Sequence, residues 1–106
     1  MTMGERFASA HDAYADGSDT TSLPLLIHDD FLWTSFTRPT GSPAVTKQEM
    51  LQMIEDAEPD DEVTVLYATD EILVMGFRGD YGSLLLTVQF ENVLAVKAWG
   101  ATVNKS

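Results

Sequence analysis

The order of its periodicities restricts this chain most: helical spacing governs the first half, and strand-like runs separated by short turns fill the second. Thr2-Met-Gly-Glu5 and Thr46-Lys-Gln-Glu49 both have the form of a capping box, in which the threonine oxygen and the glutamate carboxylate accept from two otherwise unpaired N–H groups. The first predicts a helix with Phe7, Ala10, His11 and Tyr14 on one face, ending at Asp16-Gly17. The second predicts a helix with Met50, Met53, Ile54 and Ala57 on one face, stopped by Pro59. Between them, Thr21 or Ser22 caps a short helix that tolerates Pro24 in its first turn and is closed by His28-Asp29-Asp30. Residues 31–36 then alternate as a first strand with Phe31, Trp33 and Ser35 on one face, and 38–43 form a loop.

From Glu62 onward β-branched and aromatic residues dominate 63–69, 72–78, 83–91 and 93–99, which predicts four strands in meander order. Their short connections suit antiparallel hairpins. Ile72-Leu-Val-Met75 and Leu84-Leu-Leu86 are apolar on both faces, so the sheet needs two covers. Helices supply one, and a second copy of the chain supplies the other. The expected assembly is a homodimer through the face that carries Leu85, Thr87 and Gln89.

The 106 residues suffice for one domain, spanning 1–106. The chain has no cysteine, which excludes disulfides, thiolate metal sites and cysteine nucleophiles and fits a reducing cytoplasm. Seventeen acidic against six basic residues give a formal charge of −11, a field that repels phosphate backbones and anionic headgroups. Neither a nucleic acid nor a membrane is expected as a partner. The first residues lack the basic start and apolar core of a signal peptide, and no run reaches the length of a membrane span, so a cytoplasmic location is expected.

An N-terminal helix carrying Tyr14, the strand HDDFLWTSF, a capped helix beginning TKQEML, the segment VLYATDEILVMGF and a last strand ending AVKAWG together resemble the nuclear transport factor 2-like superfamily, particularly its small SnoaL-like bacterial members. The resemblance spans about residues 5–100. It implies an α+β fold in which a curved antiparallel sheet forms a cone with N-terminal helices around a pocket, often dimeric across the sheet. It leaves function open, because that superfamily holds isomerases, polyketide cyclases, epoxide hydrolases and domains without catalysis. Isomerase chemistry needs a carboxylate base and an oxyanion hole of one tyrosine and one protonated aspartate. The resemblance puts Tyr14 at the tyrosine position, but Ser35 and Val88 at the two carboxylate positions, and neither can do a carboxylate's work. Arg38 and Arg78 lack evident inward aspartate partners for hydrolase chemistry.

Strand alternation, combined with the inward parity that the resemblance implies, places Tyr14, Trp33, Met75, Phe77, Val88, Phe90 and Trp99 around the cavity, with Ser35 and Lys97 as polar contacts. Such a lining suits a small, flat, apolar ligand, and its alternative is a cone filled by these side chains. Lys97 shares a strand face with Ala95 and Trp99. Turned inward it is a candidate base or Schiff-base amine; turned outward it is a solvated charge. His28 with Asp29 or Asp30 has the composition of a dyad, against which stands a solvated helix end. His11 and His28 have no ligand-type spacing, so neither metal nor other cofactor is expected. The expected function is binding of a small apolar ligand. Its alternatives are a pocket enzyme of cyclase, isomerase or hydrolase type and a non-catalytic dimerisation module.

Overall fold

The computed structural model describes residues 1–58 and 60–104. Both capping boxes form. Thr2 Oγ1 accepts from the Glu5 N–H at 3.1 Å while Glu5 Oε1 accepts from the Thr2 N–H at 3.0 Å, and this opens α1 (Met3–Asp16). The same exchange between Thr46 and Glu49 opens α3 (Lys47–Asp56). Gly17, at φ 81°, ends α1 in the left-handed conformation that glycine adopts without steric cost. Pro59 lies outside the described residues; α3 stops at Asp56, with Ala57 already extended.

The short helix α2 (Ser22–Leu25) is held by Asp19 rather than Thr21. Asp19 Oδ1 accepts from the Thr21 and Ser22 N–H groups at 2.8 and 3.2 Å, and its Oδ2 accepts from the Ser22 hydroxyl at 2.6 Å. His28-Asp29-Asp30 does not close this helix. It belongs to β1 (Ile27–Ser35), which begins early because Ile27 is buried and pairs with Ala95.

The remaining strands are β2 (Val45–Thr46), β3 (Glu62–Ala68), β4 (Ile72–Gly79), β5 (Gly82–Glu91) and β6 (Leu94–Asn104). They form one curled sheet in the order β2-β1-β6-β5-β4-β3. The meander β3 to β6 is antiparallel, as is β2 on β1, but β1 runs parallel to β6, so the sheet is mixed rather than wholly antiparallel. A parallel pair needs a long crossover, and here it comprises everything from β2 to β5.

Besides the register shift of β1 against β6 between Ile27 and Leu32, two strands carry an extra residue. In β6, Phe90 faces Ala95 while Gln89 faces Lys97, leaving Val96 unmatched. In β3, Val65 faces Met75 while Tyr67 faces Val74, leaving Leu66 unmatched. The concave face then presents Leu73, Met75, Leu86, Val88, Phe90 and Ala98, all buried. Against them pack Met3, Phe7 and Ala10 of α1 and Met50 of α3, with Phe7 edge-on to Phe90 at 5.6 Å between centroids. The start of α1 is tied to the β3–β4 turn by the Gly4 N–H donating to the Thr69 carbonyl at 2.9 Å. Leu32, Ile72 and Leu85 point to the opposite face and stay exposed, Leu85 at 49%.

Trp33 lies across Gly100. A Cβ on Gly100 would sit 2.8 Å from Trp33 Nε1 and 3.1 Å from the Leu85 carbonyl oxygen, and the backbone oxygen has little freedom to move. Gly100→Ala is expected to cost about 1–3 kcal/mol through overpacking. Denaturant melts with tryptophan emission check this, and an unchanged midpoint would mean that Trp33 does not rest there.

Candidate functional site

A cavity of about 670 Å³ opens between the second half of α1, the length of α3 and the end of the sheet nearest the β4–β5 turn. Its floor is apolar, made by Trp33 of β1, Phe77 of β4 and Leu84 and Leu86 of β5. The helical face predicted from Met50, Met53 and Ile54 forms one wall, and His11 and Ala15, four apart on α1, form another. The rim is acidic, with Glu58 and Asp60 after α3 and Asp80 and Tyr81 in the β4–β5 turn.

Two chain segments meet at that rim through the Tyr81 hydroxyl, which donates to Asp60 Oδ1 at 2.9 Å. Partial burial and this carboxylate hold the Tyr81 phenol protonated well above the usual tyrosine range. His11 lies deeper, with 12% of its side chain exposed and its ring 5.3 Å from that of Phe77. Its Nδ1 is 3.7 Å from Asp12 Oδ1, too far for a hydrogen bond, and among the described residues this atom and Trp33 Nε1 are buried without a partner. No group of three or more metal-ligating side chains occurs among the described residues.

Of the side chains expected in the cavity, Trp33 and Phe77 line it. Met75, Val88 and Phe90 share its sheet face but are buried in the solid part of the core, and Tyr14 packs half-buried beside that core without lining the cavity. Ser35 sits in a separate depression built from residues 34–36 and 38–44, its hydroxyl 3.2 Å from that of Thr37.

Trp99 and Lys97 lie on the other face of the sheet, contrary to expectation. Simple alternation ties them to Ala95, but the unmatched Val96 breaks the alternation, so Ala95 and Ala98 face inward while Lys97 and Trp99 face outward. The His28 dyad is absent as well: His28 Nδ1 accepts from the Asp30 N–H at 2.9 Å, and Asp29 pairs with Lys47 at 3.3 Å. Sequence reasoning found the faces holding His11, Met50, Met53 and Ile54 but assigned them no site. It had no signal for Asp60 and Tyr81, which meet through folding alone.

No known protein family's sequence profile matches the chain, and no curated protein matches it. Solved structures do. A protein described as "Putative Isomerase from Rhodopseudomonas palustris" superposes with a TM-score of 0.69 at 16% identity, covering 98% of this chain and 91% of that one. An NTF-2 like protein of unknown function from Burkholderia xenovorans gives 0.66 at 12% identity, covering 98% and 85%. Another ntf2-like protein of unknown function, from Mesorhizobium loti, gives 0.59 at 16%, covering 98% and 96%. The fold is nuclear transport factor 2-like. At these identities the likeness concerns the nuclear transport factor 2-like fold and leaves chemistry to the residues of this chain.

The Tyr81–Asp60 bond has a titration signature. The folded protein holds the phenolic proton more tightly than the unfolded chain does, so the contribution to stability is complete below about pH 10 and is lost as pH rises beyond it. With 42% of Tyr81 exposed, the effect on stability is small. In an ultraviolet titration of tyrosinate, Tyr81→Phe is expected to remove the last phenol to ionise; removal of an early one would show that the bond does not form.

Proposed function

We propose that this protein binds a small, flat, apolar molecule in the cavity between α1, α3 and the sheet. The observation that carries the reading is the cavity itself, whose volume of about 670 Å³ falls within the range of small-molecule sites. Its floor and α3 wall are apolar, and its acidic side chains come from residues 58–60 and the β4–β5 turn, two segments joined by the Tyr81–Asp60 bond. A filled cone, by contrast, would leave no such space beside Trp33 and Phe77. Catalysis of isomerase, cyclase or hydrolase type is the second reading, favoured by His11, a nearly buried proton carrier at the cavity wall.

The two tryptophans sit on opposite faces of the sheet, which gives the test. Saturable quenching of emission by a panel of flat aromatic and steroid-like compounds is expected to survive Trp99→Phe and to disappear in Trp33→Phe. Quenching that follows Trp99, or no quenching by any compound, would defeat the reading.

The outer face of the sheet supports a homodimer as the working form. Leu32 of β1, Ile72 of β4 and Leu85 of β5 are exposed there, with half-buried Trp99 of β6 between β1 and β5. A second copy presenting the same patch buries it. Light scattering at micromolar concentration is expected to give a dimer for the wild type and a monomer for Leu85→Glu. A monomeric wild type would refute it.

A further inference from the structure

We propose that the ligand of this cavity carries a positive charge, as a flat apolar body ending in an amine or other organic cation held by the carboxylates of the rim. The inference rests on the ligand-binding reading above and narrows it to one chemical class. Three carboxylates, Glu58, Asp60 and Asp80, line the cavity, and no lysine or arginine does. The carboxylates come from two separate stretches of chain, and the Tyr81 hydroxyl holds one of them in place by bonding Asp60 Oδ1.

Nearby cations are committed elsewhere. Lys47 pairs with Asp29 and donates to the Ile27 carbonyl, Arg78 pairs with Glu62, and Lys97 is on the outer face. Glu58 and Asp80 are exposed, and among the described residues neither carboxylate is taken up by an ion pair with a lysine or arginine. His11 is the lining side chain able to bear positive charge, and it belongs to the α1 wall rather than to the rim. The chain's charge of −11 adds to the local field, so an anionic ligand meets repulsion and a cation meets attraction. The apolar floor accepts the body of such a molecule, and the Met50 and Met53 thioethers adapt to its shape.

Three probes with one ring system and different heads separate the charge from the body: naphthylethylamine, naphthylethanol and naphthylacetic acid, titrated calorimetrically into the intact protein. The amine is expected to bind at least about tenfold more tightly than the alcohol, with the acid weakest. Added salt should narrow the gap between amine and alcohol. Asp60→Asn combined with Asp80→Asn, isosteric changes that leave an acceptor for Tyr81, should also narrow it while leaving the alcohol's affinity unchanged. The wild-type series needs no variant to fold. Equal affinities for amine and alcohol, or an amine preference that the double variant retains, would overturn the cationic assignment and leave the apolar pocket standing. Binding by none of the three would overturn both.

Discussion

Between Ala95 and Lys97 the last strand carries a residue with no counterpart on β5, and the rest of the concave face is arranged around it. The extra residue lets Ala95 and Ala98 both turn toward the helices, where small side chains leave room for Phe31, Phe90 and the indole of Trp33. It also places Gly100 inward, under that indole, where even one methyl group meets the Leu85 carbonyl. Were β6 in unbroken alternation, Lys97 and Trp99 would occupy the interior. An ammonium would then be buried among Val88 and Phe31 at a cost that no neighbouring carboxylate offsets.

The helices fill one end of the sheet and leave the other open, and side-chain volume explains the difference. Where α1 begins, Met3 and Phe7 press large side chains against Phe90, and the Gly4 backbone touches the Thr69 carbonyl. One helical turn beyond His11, α1 offers the small side chain of Ala15, and past the end of α3 the lining continues with Ala57. The same sheet face is therefore solid core beneath Phe7 and cavity floor beneath Ala15. Ser35 and Val88 lie outside the cavity, whereas His11 and the Asp60–Tyr81 pair belong to it.

The sequence made local order legible. Both capping boxes, the Gly17 stop and the strand runs of the second half could be read because each depends on residues within one turn of helix or one strand. The parallel pairing of β1 with β6 could not, since nothing local to HDDFLWTSF states which strand lies beside it. The two-residue β2 was too short to register. Trp33 and Phe77 could be placed on the cavity side because β1 alternates from Phe31 onward and β4 alternates throughout, whereas Trp99 could not, because one bulge lies between it and Ala95. The meeting of Asp60 with Tyr81 depends on where two loops come to rest, which no periodicity records.

The unmatched Leu66 has a consequence for life in a crowded solution. β3 is the last strand of its sheet, with Val63, Val65 and Tyr67 open to solvent, and an edge so apolar invites another chain to add a strand. The bulge kinks that edge midway, so a straight intruding strand loses register after a few residues. Asp60, Asp61 and Glu62 at its start add repulsion between copies. An irregularity in pairing thus works against runaway β-assembly while leaving the sheet free to meet a partner through its face.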